Sequence, residues 1–206
     1  NNCTRLAALG ELRYGAAQGV RNVFYVNVGY GIGSAIVTDG RIYEHNSEFG
    51  HIHVTSRPVQ CHCGKAGCLE AVSSGHAIER AANEDDAPRG AEDWKTAKEL
   101  ADQARAGDQH SLDVFEEAGK YLGRAISTVA NLLNPELVII GGGVSYARSI
   151  LTNPLLSEFD AHTMDGIKET TRIEVSELGL DAGVIGAMAL ALDTFVFERS
   201  AIDVMA

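Results

Sequence analysis

The chain has 206 residues, 45% hydrophobic and 22% charged, which is the composition of an ordinary globular protein. The length suits one large domain and excludes disorder or a coiled coil as a description of the whole chain, and no apolar run approaches the roughly 18 residues of a membrane-spanning helix. Lys and Arg number 17 against 28 Asp and Glu, and the net charge of −11 makes the chain by itself a poor binder of nucleic acid.

The first part of the chain predicts a helix followed by a three-strand meander. Apolar residues recur at helical spacing over about residues 4–16, where Leu6, Leu9 and Leu12 mark one face. Strands are predicted over about 23–28 and about 32–37, joined by a glycine-rich turn. The pair Asp39-Gly40 is a strong hairpin signal and predicts a third strand from Arg41.

The remainder predicts alternating helices and strands. Residues of about 45–70 are expected to be irregular, and helices are expected over about 75–84, 95–106, 110–133 and 146–160, with a surface loop over about 85–93. Apolar residues of about 137–140 predict a buried strand, about 172–175 a weaker one, and Asp181 is expected to cap a last helix that reaches about Phe197. This order matches one lobe of the α/β actin-like, ribonuclease-H-like class, in which two lobes hold a ligand between them.

Three of the four cysteines lie close together in the irregular segment. Cys61, Cys63 and Cys68 supply three thiols, and the glycines between them allow a short loop to turn around one ion. This pattern favours a zinc-binding loop within about 45–70 over a disulfide framework, and it suggests a reducing, cytoplasmic setting. Spacing alone leaves the fourth ligand open, because the nearby histidines are His51, His53 and His62.

Two glycine-rich segments could approach a phosphate or a nucleoside. The run Gly29-Tyr30-Gly31-Ile32-Gly33 lies between two predicted strands, so it differs from the dinucleotide pattern that opens a helix. Its backbone N–H groups could face a phosphate, although the run taken alone favours a plain β-turn. The run Gly141-Gly142-Gly143 follows a predicted buried strand, where a turn with unusual φ angles is the alternative explanation.

These motifs together resemble the ROK family, which contains repressors, open reading frames and sugar kinases. The most specific part is Glu48-Phe49-Gly50-His51 followed by Cys61-x-Cys63-Gly64-x-x-Gly67-Cys68-x-Glu70. The likeness covers nearly the whole chain and extends to residues 7–11 and to residues 134–143.

The resemblance implies functional roles for individual residues. It makes His51 the fourth zinc ligand beside Cys61, Cys63 and Cys68. It assigns sugar-hydroxyl contacts to Glu48, His51 and Glu70, and Asn2 is added as a residue type that suits the same ligand. The carboxylates of Glu48 and Glu70 can accept hydrogen bonds from neighbouring hydroxyls. It assigns a vestigial nucleotide or phosphate site to Gly29, Tyr30, Gly31, Gly33, Gly141 and Gly142.

The chain departs from the pattern of the family's kinases at three positions. Cys3 stands where those kinases carry the Asp that acts as general base, and Arg5 replaces the next Asn of the same helix. Tyr30 stands where they usually carry Thr in the phosphate turn. A thiol has the wrong pKa for the base, so these changes together argue against phosphoryl transfer and leave no catalytic residue to assign.

We therefore expect a sugar-sensing domain of a ROK-type transcriptional repressor that is stabilised by zinc and lacks kinase activity. The alternatives are an ATP-dependent hexose kinase of the same family and a zinc-stapled scaffold that binds no sugar.

The chain begins with Asn1, and residues 1–206 are expected to be the C-terminal lobe of a longer protein. The N-terminal lobe and any helix-turn-helix domain, which would contact operator DNA, would then lie outside this chain. The expected partners are a monosaccharide or sugar derivative and further copies of the chain, with no membrane.

Overall fold

The structure is a computed structural model, and it describes residues 2–83 and 94–197. The surface loop predicted over about 85–93 lies outside the described residues. Eight α-helices are described, and they are α1 Cys3–Tyr14, α2 Leu69–Ser73, α3 Gly75–Ala82, α4 Ala97–Arg105, α5 Gln109–Leu133, α6 Arg148–His162, α7 Asp165–Lys168 and α8 Ala182–Leu192. The described strands are β1 Val23–Val28, β2 Ile32–Thr38, β3 Arg41–Ile42, β4 Leu137–Gly141 and β5 Arg172–Val175.

The five strands form one mixed sheet in the order β3-β2-β1-β4-β5. The meander pairs β1 with β2 and β2 with β3 in antiparallel fashion, whereas β4 adds to the other side of β1 in parallel and β5 follows β4 in parallel. Helices α5 and α6 connect the parallel strands, as parallel pairing requires a crossover. The predicted mixed α/β architecture is confirmed in this order of elements.

Helices cover both faces of the sheet, and alternation along the strands decides which side chain enters which core. Phe24 and Val26 of β1 point into the larger core with Ile126 of α5, while Val23 and Tyr25 point into a second core beneath α1 and α8. Strand β4 is buried along its whole length, which explains its continuous apolar sequence.

Helices α1 and α8 pack closely because two glycines meet at their crossing. A Cβ added to Gly186 would lie 1.6 Å from the carbonyl oxygen of Leu6, and one added to Gly10 would lie 2.5 Å from that of Ala182. Any side chain at either position would push the helices apart. This contact fixes the first turn of α1, which carries Cys3, against the rest of the domain.

Several local predictions need correction. The segment of about 45–70 is not wholly irregular, because a 3₁₀ turn spans Phe49–His51 and α2 begins at Leu69. Asp181 holds the N-cap position of α8 but its side chain makes no capping hydrogen bond, since its backbone is already helical at φ −83° and ψ −9°.

Two further helices differ from the prediction, one at its end and one in being absent from it. Helix α8 ends at Leu192, and a π-helical turn continues over Asp193–Phe197. The short helix α7 was not predicted, because four residues cannot show a helical period. Within the described part of the chain, no helix combines the length and the apolar character needed to cross a membrane.

Candidate functional site

Four potential metal-ligand atoms converge beside the sheet. They belong to His51, Cys61, Cys63 and Cys68, and they all lie within 4.8 Å of one another. The Nδ1 atom of His51 lies 3.6 Å from the Sγ atom of Cys61, and the Sγ atoms of Cys63 and Cys68 are also 3.6 Å apart. A tetrahedral zinc ion at its usual bond lengths separates two thiolates by about 3.8 Å and a thiolate from an imidazole nitrogen by about 3.5 Å. These two separations match that geometry, and the four residues together could hold a metal ion.

The loop that carries the cysteines is shaped by short backbone contacts and two glycines. The N–H of Cys61 donates to the carbonyl of Lys65 at 2.8 Å, and that of Gly64 donates back to Cys61 at 3.0 Å. Gly64 and Gly67 have φ angles of +87° and +75°, which side chains rarely adopt. A Cβ on Gly67 would also lie 2.2 Å from the carbonyl oxygen of Thr55. The glycines between the cysteines thus have the turn-forming role that the sequence predicted.

The structure selects one of the three histidines that spacing left open. Among the described residues, the metal-ligand group includes His51 and neither His53 nor His62. His51 ends the 3₁₀ turn and faces Cys61, whereas His53 forms a bridge with Cys68 through its backbone and its side chain is exposed. With Nδ1 toward the cluster, the Nε2 atom of His51 is left to donate to another group.

The thiols of the cluster differ in pKa. Burial, together with hydrogen bonds to the neighbouring thiols, raises the pKa of Cys68 to about 12. The pKa of Cys63 is instead lowered, first by a backbone hydrogen bond from Lys65 and then by a hydrogen bond with Cys61. In the metal-free chain, Cys68 is therefore a neutral thiol at pH 7.

Glu70 is held rigidly beside this cluster. It lies in the first turn of α2, and its Oε2 atom accepts a hydrogen bond from the N–H of Ile32 at 2.9 Å. Its Oε1 atom lies 4.0 Å from the Sγ atom of Cys61. A Cβ on Gly31 would come within 2.4 Å of Oε2, so the glycine-rich turn admits the carboxylate because Gly31 has no side chain. One carboxylate oxygen is thus used for positioning and the other faces the cluster.

The other two residues of the predicted sugar set have different surroundings. Glu48 precedes the 3₁₀ turn, is exposed, and makes no capping hydrogen bond with its side chain. Asn2 caps α1, because its Oδ1 atom accepts a hydrogen bond from the N–H of Thr4 at 2.8 Å. The amide nitrogen of Asn2 makes no hydrogen bond with any residue that the structure describes, and it is left to donate to a ligand.

Tyr30 projects from the glycine-rich turn with 55% of its surface exposed. Its ring stacks on that of His76 at 4.8 Å between centroids and lies 6.4 Å from that of His62 in the cysteine loop. The turn itself is tied to the start of α3, since the N–H of Gly75 donates to the carbonyl of Gly29 at 2.7 Å. The turn, the cysteine loop and α3 therefore share one aromatic cluster, which sequence reasoning did not predict.

A cavity of about 280 Å³, which we call the Cys3 cavity, lies where β1 and β4 end. Cys3, Gly29 and Gly142 line it, and so does Tyr25. Gly142 has a φ angle of +91°, and a Cβ there would lie 2.5 Å from the carbonyl oxygen of Val28. The structure therefore brings the predicted general-base position and both glycine segments to one cavity at the carboxyl ends of two parallel strands, a common position for ligand sites.

Tyr25 and Glu11 are buried polar residues at this end of the sheet that the sequence did not single out as functional. Burial, the charge of Glu11 and that of Cys3 raise the pKa of Tyr25, so its hydroxyl remains a donor. Its Oη atom has no hydrogen-bond partner among the described atoms. A Cβ on Gly141 would meet that atom at 2.1 Å, which gives Gly141 a packing role. Glu11 is fully buried and accepts hydrogen bonds from the Ser176 hydroxyl and from a backbone N–H.

Gly33, the last glycine of the predicted phosphate turn, also has a packing role. A Cβ there would lie 2.4 Å from the Oγ1 atom of Thr4 in the first turn of α1. Gly33 therefore lets α1 approach β2 beside Asn2 and Cys3. Periodicity could not reveal this role, because the two residues are far apart in sequence.

Comparison with known proteins gives one family and two kinds of relative. The model of the ROK family matches residues 1–194. A glucokinase of Halalkalibacterium halodurans is 38% identical in an alignment of 205 positions that covers 90% of this chain and 61% of that protein. The DNA-binding transcriptional dual regulator NagC of Escherichia coli K12 is 31% identical in an alignment of 194 positions that covers 90% of this chain and 48% of NagC.

A solved structure agrees with these sequence relatives. The crystal structure of a ROK family glucokinase from Streptomyces griseus in complex with glucose and AMPPNP superposes with a TM-score of 0.82 at 30% identity. The superposition covers 92% of this chain and 66% of that one. The chain thus spans less than two thirds of the length of these curated relatives. Their names divide between enzymes and DNA-binding regulators.

Proposed function

The chain belongs to the ROK family, and we propose that it is the sugar-sensing part of a transcriptional regulator without kinase activity. The observation that carries this proposal is Cys3. It stands exposed on the first turn of α1 and lines the cavity shared by Gly29 and Gly142. The resemblance puts the general base of the kinases at this position, and a thiol is a poor base for a sugar hydroxyl.

Tyr30 supports the same proposal. A threonine hydroxyl at this position is compact, whereas the ring of Tyr30 extends from the turn toward His62 and His76. The ring is bulky and partly exposed, so it would hinder the approach of a nucleotide's phosphates to the backbone of residues 29–33.

A sugar kinase is the second candidate, and the 38% identity to a glucokinase favours it. Glycines of both glycine-rich segments, Gly29 and Gly142, also line the Cys3 cavity. This candidate requires another group to take the proton from the attacking hydroxyl. Tyr25 cannot serve, because its raised pKa keeps the hydroxyl protonated near neutral pH.

We propose that zinc is the metal of the Cys/His cluster and that its role is structural. Three thiolates and one imidazole form a closed tetrahedral set with no position left for substrate. A bound ion would join the 3₁₀ turn at His51, the loop at Cys61 and the start of α2 at Cys68. It would thereby fix the segments that present His51 and Glu70, while the chemistry of recognition stays with the side chains.

Zinc uptake at pH 7 is expected to release protons. The pKa of about 12 at Cys68 means that this thiol must lose its proton to become a ligand. Isothermal titration of zinc into the metal-free protein, in two buffers of different ionisation enthalpy, measures this release directly. We expect about one proton or more per ion, and weaker binding as the pH falls, because protons and zinc compete for the thiolates. Identical enthalpies in both buffers would contradict this.

A neutral monosaccharide or its N-acetyl derivative is the proposed ligand. Glu48 and Glu70 offer carboxylate oxygens that accept hydrogen bonds from sugar hydroxyls. His51 offers a ring N–H whose direction a bound metal would fix, and Asn2 offers an amide N–H. Each hydrogen bond to a charged group contributes about 1.5–3 kcal/mol, so a few such contacts give modest affinity. Modest affinity suits an effector that must leave when its concentration drops.

Sugar binding is tested by titrating the full-length, zinc-loaded protein with a panel of monosaccharides. Glu70→Gln keeps the shape and an acceptor for Ile32 but removes the charge, so we expect about tenfold weaker binding of the best sugar. Glu116→Gln is the matched control, because Glu116 is exposed on α5 and, among the described residues, forms an ion pair only with Lys120. Equal binding by both variants would remove Glu70 from the site, and failure of every sugar would leave the scaffold as the better explanation.

In this proposal, operator DNA is bound by an N-terminal domain outside the present chain, within a homo-oligomer. A sugar between two lobes favours the closed arrangement in proportion to its differential affinity for that state. Closure could then reorient the DNA-binding domains of an oligomer. Release of labelled operator DNA as sugar is added to the full-length protein supports this sequence of events, and DNA that stays bound at saturating sugar contradicts it.

A further inference from the structure

A groove of about 630 Å³ lies on the far side of α1 from the Cys3 cavity. It runs between α1, the hairpin that leads into β3, and the end of α8. Leu9 and Leu12 of α1, Ile42 of β3 and Leu190 of α8 give it an apolar lining. It shares no residue with the Cys/His cluster or with the cavity at Cys3. Its volume is in the range of sites that hold small organic molecules.

The same groove concentrates positive charge in an acidic protein. Its lining contains four arginines, from three different parts of the chain, and two acidic residues: Arg5, Arg13, Arg21, Arg41, Glu44 and Asp193. The groove therefore carries two more positive than negative side chains, against a net charge of −11 for the whole chain. Such a local reversal of sign attracts anions.

Within the described ranges, two of these arginines have carboxylate partners and two do not. Arg13 pairs with Asp193 and Arg21 pairs with Asp39, each at 2.6 Å. Neither Arg5 nor Arg41 forms an ion pair with any described residue. The Nε atom of Arg5 is moreover buried and has no hydrogen-bond partner in the described part of the chain. A buried donor without a partner is costly, and a ligand in the groove would satisfy it.

We propose that this groove binds a small organic anion whose apolar body lies on the leucines and whose carboxylate, phosphate or sulfonate group meets Arg5 and Arg41. The guanidinium group suits such anions because it donates several hydrogen bonds in one plane. A neutral sugar would leave both charges unpaired, and inorganic phosphate would leave Leu9 and Ile42 in contact with water. Only a ligand with both parts uses the whole lining.

The test uses a matched pair of fluorescent probes on the zinc-loaded protein. 8-Anilinonaphthalene-1-sulfonate carries an anionic group on an aromatic body, and N-phenyl-1-naphthylamine has the same body without the charge. We expect saturable binding of the sulfonate that is about tenfold or more weaker in Arg5→Gln and Arg41→Gln, because a charge-assisted hydrogen bond is lost. Binding of the neutral probe is expected to be weaker than that of the sulfonate and equal in all arginine variants.

Two further variants test whether the effect is specific to the arginines of the groove and whether its apolar lining contributes to binding. Arg172→Gln is the matched control, because Arg172 is an exposed arginine on β5 at the opposite edge of the sheet. Leu9→Gln, at a half-buried position in the lining, is expected to weaken both probes. Near-ultraviolet circular dichroism establishes that each variant keeps its fold. The proposal is overturned if the sulfonate fails to bind saturably, if it binds no better than the neutral probe, or if Arg5→Gln and Arg172→Gln bind it equally.

Discussion

Replacing Cys63 with serine is expected to abolish stoichiometric zinc binding and to lower the stability of the protein markedly. Serine offers no thiolate, so the tetrahedral set loses one of its four ligands. Cys63 is exposed, and the loss therefore reflects the metal rather than core packing. We expect about 3 kcal/mol or more of lost stability, which for a chain of this size is about 6–12 °C in Tm. Sugar binding should weaken in parallel, because the ion holds the segments of His51 and Glu70 together.

Cys3→Ser is the matched control for this experiment. Cys3 is also an exposed cysteine, and it lies outside the metal-ligand cluster. Elemental analysis and thermal unfolding of the two variants beside the unmodified protein separate loss of the metal from loss of any thiol. Full zinc content in Cys63→Ser, or an equal fall in Tm for both variants, would contradict the assignment of the cluster as a structural zinc site.

Phosphoryl transfer is expected to be undetectable in the full-length protein supplied with zinc, ATP, Mg²⁺ and a panel of hexoses. Loss of a general base usually lowers a rate by about 10²–10⁴, and Cys3 does not replace a carboxylate in that role. We expect the ring of Tyr30 to add a steric barrier at the glycine-rich turn. A coupled assay for ADP, with and without hexose, measures the rate above background hydrolysis.

The double variant Cys3→Asp, Tyr30→Thr gives this experiment its internal comparison. Both changes restore the residues that the resemblance associates with the kinases. Hexose-dependent turnover in the double variant alone would assign the missing activity to these two positions. Clear phosphorylation of a hexose by the unmodified protein would refute the regulator and establish the kinase.

Local sequence patterns predicted most of the elements correctly. Helix α5 was expected over about residues 110–133 and spans Gln109–Leu133, because its apolar residues keep one helical face for seven turns. Strands β1 and β5 were also predicted at their observed bounds. The errors lie in short elements such as α7 and at helix ends, where a few residues show no period and the backbone angle at Asp181 decides whether a side chain can cap.

The candidate metal ligands that are close in sequence were predicted from the sequence, whereas the distant one was not. The spacing of Cys61, Cys63 and Cys68 indicated a metal loop because these three candidate ligands lie within eight positions. The fourth ligand remained open until the resemblance indicated His51, and the structure places His51 toward the thiols while the side chain of His53 is exposed. The direction of a side chain depends on the backbone angles at each residue, which spacing does not specify.

The sequence by itself determined the mixed α/β order and the three cysteines of the loop, and the resemblance marked Cys3 and Tyr30 as departures from the pattern of the family's kinases. These features depend on near neighbours, and near neighbours impose a period or a spacing that can be counted. Only the tertiary structure decided that Gly31 makes room for Glu70, that Tyr30 stacks on His76, and that Arg5 and Arg41 share a groove. Such contacts join residues that are distant in sequence. The elements that carry these residues are brought together by the parallel pairing of β1 with β4 and by the crossing of α1 with α8.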